Sequence, residues 1–358
     1  MLSVEGVNRQ GIFPEQFVRP FTPLHEEIQR GLRLVAPRFG QSPRLAFFKV
    51  NEACQMDCPY CHANIVRGPM LPTKKVLNVL DNLAEAGIQM VDLTGGEPTF
   101  RPDLPDIVSH SKKLGILTTL STNGGMENRG YAYWYELAEA GLFGVNFSFD
   151  GVGEKSDPRA IHLAAFLVNT LHVYAGIRMV VTADNLDKIY PVGEQCMNLN
   201  IFFQAVPAIA LDGETSAPES DFRPLDAQGR REYVGAIRRL RRVRGPFGNF
   251  LRIPEGYLKE VVLSDDPTSW YCTNPSSHWI AVDARGRVRV CNDVPLSKEY
   301  DLTTDQNPLL SKEFHKDVKR ESEKCAGCSW FCHWESNRPQ HQRVLDEARF
   351  AITVAAVT

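Results

Sequence analysis

Leu45-Ala-Phe-Phe-Lys-Val-Asn51 runs directly into Glu-Ala-Cys54-Gln-Met-Asp-Cys58-Pro-Tyr60-Cys61. The first seven residues are a short apolar run and read as a strand. Three cysteines follow in the loop behind it, spaced by three residues and then two. Downstream the pattern repeats without the cysteines. Strands are expected at Met90 to Thr94, Ile116 to Ser121, Gly144 to Phe149, Gly176 to Thr182 and Asn200 to Val206. Helical periodicity fills the intervals, at Thr73 to Ala86, Leu104 to Leu114, Tyr131 to Ala140, Pro158 to Tyr174 and Leu186 to Asn198, each bounded by Gly, Pro, Asn or Asp. About six β/α units at this spacing imply a parallel sheet, either an open doubly wound sheet or a barrel. Periodicity leaves that choice open.

The rhythm breaks after Val206. Ala208 to Pro224 is loop-like, and a basic helix is expected from about Asp226 to Val243. From Pro267 to Arg338 the chain is rich in Cys, Trp and His, as in a small domain held by metal rather than by a large core. The expected organisation is an N-terminal segment over 1–44, a partial barrel over 45–207, a linker and basic helix over 208–264, a cysteine-rich domain over 265–340 and a tail over 341–358.

With 358 residues, 43% hydrophobic and 23% charged, the chain has ordinary globular composition and enough length for a full core plus an appended domain. A net charge of -3 gives no electrostatic case for nucleic-acid or membrane partners. Neither a run of about 18 apolar residues nor a secretory pattern is visible, so a cytoplasmic location is expected. In a reducing compartment, clustered cysteines read as metal sites more readily than as disulfides. Of the nine here, Cys54, Cys58 and Cys61 form one tight group and Cys325, Cys328 and Cys332 another; Cys272 and Cys291 are a looser pair and Cys196 stands alone.

Thiolates are the ligands of iron-sulfur clusters, and three of them on a four-iron cluster leave one iron open to bind a substrate. The alternative for Cys54, Cys58 and Cys61 is a structural zinc knuckle, although zinc favours four protein ligands in paired Cys-x2-Cys spacing.

The Cys-x3-Cys-x2-Cys pattern, with aromatic Tyr60 before the third cysteine and a strand before the first, resembles the signature of radical S-adenosylmethionine enzymes. Further matches follow in order. Thr94-Gly95-Gly96-Glu97-Pro98 resembles the family's Gly-Gly-Glu segment, which takes the amino group of S-adenosylmethionine. Ser121-Thr122-Asn123-Gly124 and Asn146-Phe147-Ser148-Phe149-Asp150-Gly151 resemble its polar strand ends, which hold ribose and carboxylate. All lie where ligands of parallel α/β folds bind, at the carboxyl ends of strands. Glycines admit close backbone approach and Glu97 can accept from an ammonium group; otherwise Glu97 is a helix-start carboxylate, and Ser148 and Asp150 are turn residues before Gly151. The resemblance implies a partial (β/α)6 TIM-like barrel. It also implies a 4Fe-4S cluster on Cys54, Cys58 and Cys61 that reductively cleaves S-adenosylmethionine, and a 5′-deoxyadenosyl radical that takes hydrogen from a substrate C–H bond. Such an enzyme needs an external one-electron reductant such as flavodoxin or ferredoxin.

The C-terminal cysteines are similar to the SPASM and twitch extensions, which bind auxiliary clusters. A hairpin expected over Ile280 to Val290 fits between Cys272 and Cys291. A full SPASM set has seven cysteines. Five are present, so one auxiliary 4Fe-4S cluster with four thiolates and one spare is expected, on Cys272, Cys291, Cys325 and Cys328, with Cys332 either the spare or a ligand; the same four ligands would serve structural zinc. Trp270, Trp330 and Trp334 would shield that site from water.

Cys196 reads as a small buried hydrophobe, or else, like Cys332, as a hydrogen-atom donor for inversion of a stereocentre. The run Arg238, Arg239, Arg241, Arg242 and Arg244 is a solvated helix face, or a contact for an acidic substrate or a reductase. Only 44 residues precede the first strand, less than the leader-binding domain common in peptide-modifying relatives. That favours oxidation or epimerisation of a small metabolite of sugar, aminocyclitol or nucleoside type over modification of a ribosomal peptide. A non-catalytic zinc protein is the reading from another class.

Overall fold

Each helix of the first half returns the chain to a strand beside the one it left. The computed structural model describes residues 44–61, 70–125, 130–208, 223–245, 250–265, 279–291 and 294–324. Six strands lie there in order: β1 (Leu45–Asn51), β2 (Met90–Gly95), β3 (Leu117–Thr122), β4 (Leu142–Ser148), β5 (Tyr174–Val181) and β6 (Phe202–Pro207). Between them run α1 (Thr73–Glu85), α2 (Leu104–Lys113), α3 (Tyr131–Ala140), α4 (Arg159–Leu171) and α5 (Ile189–Asn198). The basic helix, α6, spans Ala227–Leu240, and α7 spans Lys312–Ser322.

The sheet order is β6-β5-β4-β3-β2-β1-β7-β8, where β7 is Trp279–Val282 and β8 is Val288–Arg289. Strands β1 to β6 pair parallel, β7 is parallel to β1, and only β8 is antiparallel. This order resolves the choice left by the sequence. Right-handed crossovers place every helix on the same face when strands add in one direction, whereas a doubly wound sheet reverses at a switch point. The result is a curled, unclosed partial barrel.

Side-chain alternation divides the two faces. Ala46, Phe48, Val91, Leu93, Leu120 and Phe147 pack with Leu80, Leu83, Ile107 and Leu137 of the helices in the main core. On the inner face Met90, Phe143 and Tyr174, with Leu45, Leu117 and Phe202, form an apolar floor. Trp279, Ala281 and Cys291 pack beside it on Leu45 and Phe47.

The expected helix to Tyr174 is too long. His172 adopts φ 53°, the left-handed region that stops a helix, and the chain enters β5 at Tyr174. The expected hairpin exists as β7 and β8, turning at Gly286 with φ 80°. Sequence reading placed it in an appended domain; here β7 extends the sheet on the far side of β1. A buried amide fastens the segment after β8 to the barrel: Asn82 of α1 donates to the carbonyls of Leu302 and Thr304, each at 2.9 Å, and Asn307 donates to Asn82 O at 2.8 Å. Among the described residues, no helix is long and apolar enough to cross a membrane.

Candidate functional site

The cysteine loop leaves β1 at the carboxyl edge of the sheet and is tied to the ends of β2, β3 and β4. The first tie is backbone. Gly96 N donates to Asn51 O at 3.1 Å and Glu97 N to Ala53 O at 2.7 Å, so the end of β2 runs against the stem of the loop. A Cβ at Gly95, where φ is 129°, would lie 2.2 Å from Asn51 O, and one at Gly96 would lie 2.1 Å from Ala53 O. Both positions therefore require glycine for the approach of two main chains, a reason the sequence did not reveal.

Glu97 is fully buried. It begins a short 3-10 turn over Pro98–Phe100 and accepts from Thr99 N at 3.0 Å. Its Oε1 also accepts from Thr99 Oγ1 and Thr122 Oγ1, each at 2.6 Å, and its Oε2 from Asn123 N at 2.8 Å. Burial raises its pKa, and these donors oppose the rise. The capping role considered from sequence is present, and the same carboxylate binds β2 to the end of β3.

Asn123 completes the link. Its Nδ2 lies 3.6 Å from Cys54 Sγ and 3.3 Å from Gln55 Oε1, while Gln55 Nε2 donates to Asn123 Oδ1 at 2.9 Å. Met56 N donates to Cys54 Sγ at 3.4 Å and Cys61 N to Cys58 O at 2.9 Å, which curls the loop. Burial raises the thiol of Cys54 and pushes that of Cys58 up to about 11.

Tyr60 closes the far side. Its hydroxyl donates to Asp150 Oδ2, Lys155 Nζ donates to that hydroxyl at 3.0 Å, and Asp150 Oδ1 accepts from Val180 N at 2.9 Å. Burial raises both Tyr60 and Asp150. Ser148 ends β4 in register with Arg178 of β5. Thus Cys54, Cys58, Cys61, Tyr60, Gly95, Gly96, Glu97, Thr122, Asn123, Ser148 and Asp150 come to one edge of the sheet.

Three thiols in one loop, with N–H groups directed at Cys54 sulfur, suit an iron-sulfur cluster by donor chemistry. Among the described residues, no three His, Cys, Asp or Glu side chains converge as a ligand group. The loop provides the donors by type and order.

Residues 48–174 match the family model for the Radical SAM superfamily. The likeness to that superfamily lies in the segment that carries the cysteine loop and the ends of β2, β3 and β4. A PqqA peptide cyclase of Bradyrhizobium diazoefficiens is 39% identical over 126 residues, 34% of this chain and 32% of that protein. The match thus spans about a third of that relative's length. A probable GTP 3',8-cyclase of Saccharolobus islandicus is 26% identical over 299 residues, 79% of this chain and 92% of that protein. Among solved structures, Streptococcus suis SuiB bound to precursor peptide SuiA superposes with a TM-score of 0.58 at 16% identity, covering 81% of this chain and 70% of that one. At such identity the likeness is one of fold.

Outside the radical SAM motifs, Cys196 is fully buried in the helix–sheet core, and burial raises its thiol. Cys291 is buried on the inner face and its sulfur accepts from Val294 N at 3.3 Å. Cys272, Cys325, Cys328 and Cys332 lie outside the described residues, as do Trp270, Trp330 and Trp334. In the basic run, Arg238 pairs with Glu255, Arg241 lies 3.6 Å from Glu255, and Arg239 stacks 3.6 Å from the Tyr190 ring centroid. That helix face is largely engaged within the chain.

Two features escaped the sequence reading. Arg101 is buried and donates to Leu71 O at 2.9 Å, Val50 O at 3.2 Å and the Asp103 carboxylate, holding both ends of the cysteine loop. Asp92 interrupts an apolar strand and faces inward. A charge inside a buried strand is the signal that could have found it; Arg101 has no comparable signal.

Proposed function

We propose that this protein is a radical S-adenosylmethionine enzyme that abstracts hydrogen from a C–H bond of a small metabolite, giving oxidation or epimerisation. The observation that carries the reading is the Cys54–Asn123–Glu97–Thr122 chain of contacts, which joins three sequence motifs at one strand edge. Cys54, Cys58 and Cys61 would hold a 4Fe-4S cluster. When bound there with S-adenosylmethionine, that cluster supplies the electron whose transfer yields a 5′-deoxyadenosyl radical. The residues of the chain bind and orient: the Gly95–Gly96–Glu97 segment, its carboxylate held by Thr99, Thr122 and Asn123, would lie against the amino group, and Thr122, Asn123, Ser148 and Asp150 would serve ribose and carboxylate. Burial of Glu97, Thr122 and Asp150 limits water at the polar strand ends.

A SPASM/twitch-like region over 265–340 would carry a second 4Fe-4S cluster on Cys272, Cys291, Cys325 and Cys328 and accept the electron left by an oxidation. Epimerisation would draw its hydrogen atom from Cys332, because Cys196 is enclosed in the helix–sheet core. Flavodoxin or ferredoxin fits as reductant, in a cytoplasmic setting. The similarity to a PqqA peptide cyclase supports a second reading, modification of a ribosomal peptide.

Iron and sulfide content after anaerobic reconstitution tests the core of this reading. About eight irons, falling to about four when Cys54, Cys58 and Cys61 are all Ala, is expected. About four falling to none removes the auxiliary cluster; absence of iron in both leaves a zinc protein.

A further inference from the structure

Asp92 is unusual among the buried carboxylates because of where it points. Its neighbours Val91 and Leu93 belong to the helix–sheet core, so alternation places Asp92 on the inner face, one step above the apolar floor at Met90. Two hydroxyls of β3 meet it: Thr119 Oγ1 donates to Oδ1 at 2.6 Å and Ser121 Oγ to Oδ2 at 2.8 Å. These are its only hydrogen-bond donors among the described residues. A carboxylate has about four acceptor positions, so two remain. Arg178 acts on Asp92 electrostatically, but its Nε donates to Gln204 Oε1 at 3.1 Å.

A buried carboxylate away from the main core contributes no packing and carries a desolvation cost that two hydroxyls only partly offset. An ammonium group arriving from the barrel mouth would fill the remaining acceptor positions in a charge-assisted bond. A polyphosphate would face repulsion at the same place.

We infer that Asp92, braced by Thr119 and Ser121, recognises an amino group, and that the substrate is an amine-bearing small metabolite. This rests on the radical S-adenosylmethionine reading and narrows its substrate class. It also separates this chain from the GTP 3',8-cyclase relative, whose named substrate carries a triphosphate.

The test uses the anaerobically reconstituted full chain with S-adenosylmethionine and three probes: streptamine, myo-inositol and GTP. Calorimetry is expected to show streptamine binding at least about tenfold more tightly than myo-inositol, the size of a charge-assisted bond, and GTP failing to compete. Asp92→Asn should bring the two cyclitols within about threefold of each other, with iron content and circular dichroism confirming the fold. Ser121→Lys, which places an ammonium group beside the carboxylate, should abolish streptamine binding and serves where Asp92→Asn does not fold. Equal binding of the cyclitols, no binding of either, tighter binding of GTP, or an unchanged ratio in Asp92→Asn overturns the assignment. Formation of 5′-deoxyadenosine by the same wild-type preparation under dithionite separates the two levels. Cleavage without amine preference sinks the Asp92 inference alone, whereas no cleavage and no iron sink the reading beneath it.

Discussion

The hydroxyl of Tyr60 donates to the carboxylate of Asp150, 90 residues further along the chain. This bond ties the cysteine loop to the end of β4, and Lys155 braces it from the side. Tyr60→Phe removes one donor from a buried carboxylate and should destabilise the apoprotein by roughly 1–3 kcal/mol. Urea unfolding measures that loss. The reconstituted variant should also release iron to a chelator faster than wild type, and an unchanged release rate would show that the tie does not restrain the loop.

Glu97 gives a dependence on pH with a defined sign. Burial raises its folded pKa above the ordinary 4.5, so folding takes up a proton in the interval between the two values. The contribution is present below the unfolded pKa and is lost as pH rises through the folded one. Urea midpoints of the apoprotein from pH 4.5 upward should therefore fall more steeply for wild type than for Glu97→Gln. The difference between the two curves isolates Glu97 from other carboxylates.

Arg101→Ala should be more damaging than either. It strands the carbonyls of Val50 and Leu71 and leaves Asp103 without its guanidinium. A loss of about 3–5 kcal/mol is expected for removing one partner of a buried pair. Arg101→Lys should recover only part of it, because a single ammonium cannot reproduce the planar fork.

Gly96→Ala tests the approach of β2 to the loop stem. The added methyl would meet Ala53 O at 2.1 Å, and neither main chain can yield without breaking Gly96 N to Asn51 O. Little folded protein is expected by size-exclusion chromatography. Gly87→Ala meets nothing within 4 Å and, despite its φ of 84°, should leave the protein folded.

Sequence alone revealed the strand that carries the cysteines and the order of motifs behind it, because apolar period and cysteine spacing are both local. Tyr131–Ala140 is found with the same limits in sequence and structure. The features that stayed hidden depend on pairs distant in sequence. Periodicity left the barrel undecided, the family resemblance implied it and the strand order agrees; the double glycine was assigned to ligand approach when Asn51 and Ala53 carbonyls explain it. Asp92 gave a signal, a charge within an apolar strand, but its meaning depends on which face of β2 turns inward. The candidate auxiliary ligands Cys272, Cys325 and Cys328 fall outside the described residues, and of that set only the inward position of Cys291 is placed.

Strand β1 has neighbours on both sides, and Leu45 lies opposite Met90 on one and Trp279 on the other. The first partner emerges from the ribosome soon after β1 itself; the second, beginning at Trp279, follows only after all the other parallel strands. Until then the strand behind the three cysteines presents an unpaired edge. Closing it requires a contact of very long loop, the kind that forms slowly and leaves a nascent chain open to wrong associations. A truncated or slowly translated chain would thus hold its reactive loop on a half-finished strand, and maturation of the metal site in the cell becomes a question of timing between cluster delivery and the arrival of β7.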